Sequence, residues 1–206
     1  MEKRKIILVG GGGHCKACID VLETENKFSI AGILDKASLI GKTILGYPII
    51  GTDELIEKLA KENYCFLITI GQIKTTEIRE YIYKTIKKFG GELPVIISPN
   101  AVVSKYASLQ EGSIVMHNSI INAATSIGNC CILNSASLIE HDCKIGDFCH
   151  ISTASTINGS VNIGDNCFIG SNAVVNNNLK IVSSVIVPSG SRVSKDIEKA
   201  GVFREL

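Results

Sequence analysis

A six-residue repeat of aliphatic side chains constrains what the second half of this chain can fold into. In steps of six from Ile97 to Val193, all seventeen positions hold Ile, Leu or Val, and we call them anchors. Four residues after an anchor the side chain is mostly small, although Val161, Leu179 and Val185 are larger. An amphipathic helix would repeat about every 3.6 residues, so the period excludes one. It predicts a β-helix, in which three hexads form one coil and small side chains line the corners between closely spaced coils.

The distribution of charge divides the 206-residue chain into two parts. Residues 1–96 carry 26 of the 41 charged side chains, and residues 97–206 carry the other 15. In the first part, apolar runs at 5–9, 30–34 and 65–70 alternate with helical segments, which predicts a parallel sheet with right-handed crossovers. The helices are expected to end near Thr24, to start at Thr52 as N-cap, and to cover 76–89. We therefore predict an α/β half-Rossmann domain at 1–94, an all-β β-helix domain at 97–196 and a C-terminal tail at 197–206.

Composition excludes several classes of partner. The formal net charge of +1 leaves no electrostatic footprint for nucleic acid or acidic lipid. The uncharged stretch 112–139 exceeds the roughly 20 residues of a membrane helix, but its evenly spread Asn and Ser side chains do not suit a lipid-facing surface.

The eight cysteines are expected to be reduced thiols. No secretion signal precedes the first strand, so we predict a cytoplasmic protein without disulfides. The cysteines at 131, 143, 149 and 167 hold the small position after an anchor, where they act as small hydrophobic residues. Cys15-x-x-Cys18 is similar to a redox motif, but its spacing also fits packing of the first helix.

Short motifs are spread over nearly the whole chain: Gly10-Gly11-Gly12-Gly13-His14, Ile33-Leu34-Asp35, Ile70-Gly71, Leu133-Asn134, Ile139-Glu140-His141-Asp142-Cys143 and Ile145-Gly146-Asp147-Phe148-Cys149-His150. With them the chain resembles the sugar acyltransferases of the sialic acid O-acetyltransferase and bacillosamine-pathway N-acetyltransferase type (NeuD/PglD-like). The resemblance implies a left-handed β-helix, a homotrimer with active sites between subunits, acetyl-CoA as donor, and a sugar or nucleotide-sugar acceptor. The period alone would not predict the left hand, since crossovers are usually right-handed.

His141 is the candidate general base. Acetyl transfer to an amine or hydroxyl needs a group that accepts a proton near pH 7, and imidazole suits that task. Glu140 or Asp142 could orient the ring and stabilise its protonated form. The sequence alone leaves a solvated surface histidine as the alternative, whereas the resemblance implies that the family's base falls on His141.

Coil arithmetic places other residues near this histidine. Ala123 lies one coil before His141, Gly159 one coil after it and Asn177 two coils after it. The missing side chain at Gly159 would leave room for a thioester and expose an N–H to the oxyanion of a tetrahedral intermediate. Alternatively, Gly159 only serves a corner that needs a positive φ.

The resemblance also implies contacts of Asn134 and His150 with the acetyl group or the acceptor. His150 could instead be a polar residue between two anchors. His117 has no match in the family. It lies four hexads before His141 rather than three, so the two histidines do not stack, and we interpret His117 as structural.

The glycine run 10–13 with His14 predicts a strand-to-helix turn whose amides can hold a phosphate. The dinucleotide fingerprint G-x-G-x-x-G is not met, and the domain holds one mononucleotide-binding half, so a uridine nucleotide is favoured over NAD. Asp35 is the candidate for a ribose or base edge. Gly71 and Arg79 are weaker candidates for the same pocket. The alternatives are a tight turn without a ligand and, for Arg79, an ordinary charge on a helix surface.

Donor binding is assigned by resemblance. In the family, CoA lies between neighbouring β-helices near the C-terminal coils, where this chain has Gly170, Lys180, Arg192 and Lys195. The three basic residues also fit ordinary surface charges. The family's Gly-x-Pro-Ala-basic tail is replaced by 201–206, Gly-Val-Phe-Arg-Glu-Leu, which leaves open whether donor binding is weaker.

Together with these residues, the resemblance implies a cytoplasmic, trimeric N-acetyltransferase that uses acetyl-CoA and no metal. Its acceptor is the amino group of a nucleotide-linked deoxyamino sugar for bacterial surface glycans or protein glycosylation. O-acetylation of sialic acid or a related nonulosonic acid is the alternative within the same fold. A zinc β-helix of the carbonic-anhydrase type, with His117, His141 and His150 as ligands, and a non-catalytic scaffold are the alternatives from other classes.

Overall fold

The structure, a computed structural model, describes residues 3–204, and the chain divides into two compact units. The first unit runs to Gly71 and resumes over Glu77–Ile96. The second consists of Gln72–Thr76 and the chain from Ile97 onward, and we call it the prism. The predicted boundaries placed Gln72–Thr76 in the first domain, whereas the contacts of this segment group it with the prism.

The first unit is a mainly parallel sheet with helical connections. Its elements are β1 Arg4–Val9, α1 Gly13–Glu25, β2 Phe28–Leu34, a 3₁₀ turn Ala37–Leu39, β3 Thr43–Ile44, β4 Tyr47–Gly51, a 3₁₀ turn Asp53–Leu55, α2 Ile56–Lys61, β5 Cys65–Ile68 and α3 Glu77–Lys88. The strand order is β3-β4-β2-β1-β5, antiparallel at β3/β4 and parallel at the other pairs. The predicted strands and the helices that end near Thr24 and cover 76–89 are confirmed.

Two local features differ from the predictions. Thr52 stands at the predicted N-cap, but its side chain makes no capping hydrogen bond, and a 3₁₀ turn precedes α2. The hairpin of β3 and β4 was not predicted. Its two-residue turn, Leu45-Gly46, has positive φ at both residues, which is the geometry of a type I′ turn. Leucine is unusual there, so the sequence lacks the Asn-Gly or Asp-Gly signal that marks such turns.

The prism is a left-handed parallel β-helix of very short strands. They are β6 Ile96–Ile97, β7 Val102–Val103, β8 Ser108–Leu109, β9 Ile114–Val115, β10 Ile120–Ile121, β11 Ser126–Ile127, β12 Ile132–Leu133, β13 Leu138–Ile139, β14 Lys144–Ile145, β15 His150–Ile151, β16 Thr156–Ile157, β17 Asn162–Ile163, β18 Phe168–Ile169, β19 Val174–Val175, β20 Lys180–Ile181, β21 Val185–Val187, β22 Arg192–Val193 and β23 Gly201–Val202. They form three sheets, with orders β22-β19-β16-β13-β10-β7, β20-β17-β14-β11-β8 and β23-β21-β18-β15-β12-β9-β6.

The predicted register holds through most of the prism. Paired residues are one coil of 18 residues apart, as in Ile121 with Ile139 and Ile139 with Ile157. In the two-residue strands from β6 to β22, the second residue is the anchor. The anchors from Val115 to Val193 are buried in one continuous core. The aliphatic side chains therefore fill the shaft, and their burial is the main favourable contribution to the stability of this unit.

The last coil is shorter. Ile181 pairs with Ile197 and Val185 with Gly201, so two residues are missing from the 18-residue step. Ile197 and Phe203 pack on the core, and β23 extends one sheet. Over its described part, the predicted tail is thus part of the prism rather than a separate segment. Glu205 and Leu206, which end the predicted tail, lie outside the described residues.

A left-handed residue marks each hexad from Gly112 to Gly190. Gly112, Gly190 and the residues at each sixth position between them have φ between 52° and 74°. These positions come three residues after an anchor. Gly159 comes two residues after one and is not among them, because the positive φ of its corner belongs to Ser160. The alternative explanation of Gly159 as a glycine needed for positive φ is therefore wrong.

The small residues four positions after an anchor also satisfy buried carbonyl groups. The Cys131 thiol donates to the Gly146 carbonyl at 3.1 Å, and the Ser113 hydroxyl donates to the Gly128 carbonyl at 2.8 Å. Cys149 and Cys167 repeat the contact with carbonyls of the next coil. All eight cysteines are buried, and none of them forms a disulfide within residues 3–204. The corner cysteines thus serve as donors as well as small hydrophobic residues.

Candidate active site

The candidate base and its carboxylate meet at a corner between β13 and β14. Nδ1 of His141 lies 2.7 Å from Oδ2 of Asp142, and the two side chains are 59% and 60% exposed. Asp142 is the left-handed residue of this corner, with φ 60°. The backbone therefore turns sharply directly after the histidine. A proton held on Nδ1 by the carboxylate leaves Nε2 as the nitrogen that can accept one.

Glu140 has a different partner. Its Oε2 accepts a hydrogen bond from Nδ2 of Asn122 at 2.9 Å, one coil away. Of the two carboxylates predicted to orient the ring, the structure gives the contact to Asp142.

Gly159 lies directly against the imidazole. A Cβ atom at Gly159 would be 2.7 Å from Cε1 and 2.8 Å from Nε2 of His141. The sequence predicted that the missing side chain of Gly159 leaves a space for a thioester. The imidazole ring of His141 fills that space, and Gly159 is buried. The missing side chain lets the ring lie on the next coil and brings Nε2 beside the Gly159 backbone.

The N–H of Gly159 makes no hydrogen bond within residues 3–204. At another corner of the prism, the N–H groups two residues after an anchor each donate to a side chain one coil further on. These are the N–H groups of Asn129, Asp147 and Asp165, with distances of 2.7–3.0 Å. Within residues 3–204 the Gly159 N–H has no such partner. An unsatisfied donor beside the base nitrogen is the arrangement that stabilises an oxyanion.

His150 and Asn134 form a second polar group in the prism. Nδ2 of Asn134 lies 3.1 Å from Nε2 of His150, and Nδ1 of His150 lies 2.7 Å from the main-chain carbonyl oxygen of Gln72. Sequence reasoning missed Gln72, because its nearness to His150 arises from the long-range packing of Gln72–Thr76. The ring of His117 has a different partner, since its Nδ1 lies 2.6 Å from the Ser98 hydroxyl. Among the described residues, no three or more His, Cys, Asp or Glu side chains are grouped to hold a metal ion.

The first unit contains a cavity of about 500 Å³ at the carboxyl ends of its strands. Seven of the eight predicted nucleotide-binding residues line it, namely Gly10, Gly11, Gly12, Gly13, His14, Asp35 and Gly71. Lining residues that the sequence did not reveal are Lys36, Thr52, Asp53, Thr69, Ile70, Ile78 and Ile82. Several of these follow the ends of β2, β4 and β5. Open sheets bind ligands at such ends, so strand ends were the available signal.

The turn after β1 is held by backbone and side-chain contacts. Gly10 has φ 108°, and a Cβ atom there would lie 2.3 Å from Cγ1 of Ile70. Asp35 accepts hydrogen bonds from the N–H groups of Gly11 and Lys36, at 2.5 and 2.6 Å. Helix α1 then begins at Gly13, with open space where Gly12 and Gly13 lack side chains. A phosphate can approach this helix N-terminus closely.

Arg79 does not line the cavity. Its side chain is buried, and Nη1 donates to the carbonyl oxygen of Ile70 at 2.7 Å. Neither the predicted nucleotide contact nor the alternative of a surface charge describes it. Arg79 instead compensates a main-chain carbonyl just after β5, next to the cavity wall.

The residues assigned to CoA lie only partly together within one chain, since the Lys180 N–H donates to Asp196, the neighbour of Lys195, at 2.8 Å. Lys180 and Arg192 are exposed on β20 and β22, which belong to different sheets, and Lys195 follows β22. Gly170 is buried, and a Cβ atom there would lie 2.4 Å from the backbone nitrogen of Ser189. Close spacing of coils therefore accounts for this glycine without a ligand.

The two thiols of the first helix are buried. Burial raises the pKa of the Cys15 thiol to about 11 and raises the pKa of the Cys18 thiol further. Reactive cysteines have a lowered pKa, because the thiolate is the reactive form.

In the part of the chain that is described, no helix is long and apolar enough to cross a membrane.

The chain is similar to known proteins in both units. Residues 5–86 match the family model described as the PglD N-terminal domain. No curated protein sequence gives a significant match.

Solved structures match over nearly the full length. PerB from Caulobacter crescentus, in complex with CoA and GDP-perosamine, is 31% identical, with 96% of this chain and 92% of that chain covered and a TM-score of 0.88. A histidine-to-asparagine variant of perosamine N-acetyltransferase from the same organism, also with CoA and GDP-perosamine, is 30% identical, with 97% and 93% covered and a TM-score of 0.88. The acetyltransferase domain of PglB from Neisseria gonorrhoeae FA1090, in complex with acetyl coenzyme A, is 28% identical, with 95% and 93% covered and a TM-score of 0.88.

Proposed function

Because the chain belongs to the NeuD/PglD-like family of sugar acetyltransferases, we propose that it transfers the acetyl group of acetyl-CoA to the amino group of a nucleotide-linked deoxyamino sugar. The observation that carries this proposal is the corner where Asp142 holds Nδ1 of His141 and Nε2 lies beside Gly159. The relatives that hold CoA together with a nucleotide-linked amino sugar support the choice of both substrates.

The mechanism assigns one step to each of these groups. The amine nitrogen attacks the thioester carbonyl carbon, while Nε2 of His141 takes a proton from the amine. The N–H of Gly159 donates to the oxyanion of the tetrahedral intermediate. Collapse of the intermediate breaks the C–S bond, and the protonated imidazole returns its proton to the CoA sulfur. The products are the acetamido sugar and CoA.

The cavity of the first unit is the proposed site of the nucleotide. The amides at the start of α1 suit the diphosphate, and Asp35, at the end of β2, lies in the same wall. The apolar side chains of Ile78 and Ile82 offer a surface for the base. Lys36 lines this cavity beside the carboxylates of Asp35 and Asp53, and its ammonium group can pair with a phosphate.

We further infer a homotrimer in which neighbouring prisms pack together. The sheet that contains β10 exposes an outward row of mostly apolar residues, which we call the apolar row: Val102, Ile120, Leu138, Thr156 and Val174. Val102 is 62% exposed and Ile120 is 37% exposed. Rows of this kind on a protein surface are typical of contacts between subunits. Association would also bring basic residues of different sheets together around CoA.

The proposed compartment is the cytoplasm. Eight free thiols without a disulfide suit a reducing environment.

An acceptor panel tests the proposal. CoA release from acetyl-CoA is measured with UDP-, GDP- and CMP-linked amino sugars, the matching sugars with a hydroxyl in place of the amine, and free sialic acid. We expect turnover with one or more nucleotide-linked amino sugars and none with the hydroxyl analogues. Turnover with free sialic acid alone would refute the nucleotide-sugar acceptor and favour O-acetylation.

A further inference from the structure

Gln72 is a buried polar residue that the mechanism does not use. Its side chain is 3% exposed and lies in the short segment Gln72–Thr76 that packs with the prism. Nε2 of Gln72 donates to the Phe148 carbonyl oxygen at 2.8 Å, and the Gln72 main-chain oxygen accepts from Nδ1 of His150 at 2.7 Å. This residue is thus tied to the prism through both its side chain and its backbone.

The hydrogen bonds around His150 specify where its proton lies. A main-chain carbonyl can only accept, so Nδ1 of His150 must carry a proton. On the other side, Oδ1 of Asn134 accepts from the Ser135 N–H at 2.8 Å, which directs the NH₂ group of Asn134 toward the ring. Nε2 of His150, 3.1 Å from that group, must therefore accept. The ring is neutral, with its proton on Nδ1.

The surroundings hold this ring in place. Phe168 packs edge-on against it, with ring centroids 5.2 Å apart, and His150 is 7% exposed. Phe148, whose carbonyl binds Gln72, has φ 53°. A bulky residue in this left-handed region is strained and needs support from its neighbours. The Gln72 amide supplies a hydrogen bond at that point.

Packing alone does not account for a glutamine here. Within residues 3–204, Oε1 of Gln72 is buried without a hydrogen-bond partner. An unsatisfied buried acceptor costs free energy, and a methionine of similar length would fill the space without that cost. The residue is thus better explained by the hydrogen bond that its NH₂ group makes.

We propose that Gln72 is a positioning residue, which keeps His150 neutral with the proton on Nδ1 and so presents the His150–Asn134 pair in one fixed arrangement to the reacting groups. The proposal rests on the proposed function for the role of that pair. It implies that His150 does not share the work of the base, since its Nε2 already accepts from Asn134 and its Nδ1 proton is held by a carbonyl.

The test combines nitrogen NMR with kinetics. The ¹⁵N signals of the His150 ring are assigned by their absence in a His150→Gln variant and followed through the neutral pH range. In the unchanged protein we expect a protonated Nδ1 and a bare Nε2 throughout. Gln72→Met retains the length of the side chain and removes the amide, and Gln110→Ala changes an exposed glutamine as the control.

Gln72→Met leaves the main-chain carbonyl but removes the side-chain bond to Phe148 that holds this carbonyl against His150. We therefore expect the His150 ring to populate a second tautomer and kcat to fall about tenfold, with the KM for acetyl-CoA unchanged. Gln110→Ala should change neither. A His150 tautomer that is unaffected by Gln72→Met, or one that changes without any change in kcat, would overturn the proposal. The tautomer is measured without turnover, so its outcome is separate from the acceptor panel that tests the function.

Discussion

The pair of His141 and Asp142 shows how one backbone angle can organise a site. Asp142 holds the left-handed position of its hexad, where φ is 60°, and its carboxylate reaches the imidazole of the preceding residue. The base, its orienting carboxylate and the turn thus come from two consecutive residues. Gly159 completes the arrangement from the next coil, because a Cβ atom at this position would overlap the imidazole ring.

A substitution at Gly159 separates chemistry from folding. The backbone at Gly159 does not have a positive φ, so it does not oppose an alanine. The methyl group of Gly159→Ala would, however, lie about 2.8 Å from Nε2 of His141. The ring must then move, and displacement of a catalytic group by about 1 Å can cost on the order of 10²-fold in rate. We expect kcat to fall by about that factor, with the melting temperature nearly unchanged.

Gly170→Ala is the matched comparison. Here the added methyl group meets the backbone of Ser189, which cannot turn aside as a side chain can. Overpacking of this kind costs about 1–3 kcal/mol, so we expect a lower melting temperature and an unchanged KM for acetyl-CoA. The reverse pattern, with Gly159→Ala unstable and Gly170→Ala defective in donor binding, would contradict both assignments.

At the scale of elements, the regular part of the prism was predictable from the sequence. Each anchor must point into a narrow shaft, so the choice of residue at every sixth position records the fold directly. The left-handed positions were less visible because Ala, Ser, Asn, Asp, Cys and Phe share them with glycine. Burial selects strongly for side-chain type, whereas this backbone conformation tolerates several types at modest cost.

Other elements depended on contacts that local sequence does not express. The hairpin of β3 and β4 turns at Leu45-Gly46 without the usual turn residues. The segment Gln72–Thr76 packs with the prism through the contacts of Gln72 with Phe148 and His150, more than 70 residues away in sequence. Arg79 shares the buried face of α3 with Ile82 and Ile86, but its charge suggested a surface position, and the structure buries it against Ile70.

The candidate site was predictable in the same uneven way. His141, Asp142 and Gly159 are related by adjacency and by one coil, so the period alone brings them together. Seven residues that line the cavity of the first unit were predicted because they follow strand ends or form the glycine turn. The choice of Asp142 over Glu140 and the partners of His150 depend on side-chain geometry, which the period does not determine.

At the scale of the whole molecule, the apolar row predicts the assembly. Ile120→Asp places a charge in the middle of this row and should convert a trimer into monomers, as measured by light scattering after size-exclusion chromatography. Ile40→Asp, at a residue of the first unit that is 51% exposed, is the control and should stay trimeric. An unchanged chain that is monomeric at micromolar concentration would refute the assembly.

The central claim is that Nε2 of His141 is the base of an acetyl transfer. The most direct measurement is the rate of CoA release by His141→Asn with the acceptor that the panel identifies, beside His117→Asn as the control, since the ring of His117 contacts Ser98. General base catalysis contributes about 10²- to 10⁴-fold, so we expect a loss of that size in kcat, with binding of both substrates retained in calorimetry. A His141→Asn variant whose kcat stays within about threefold of the unchanged protein would contradict the account.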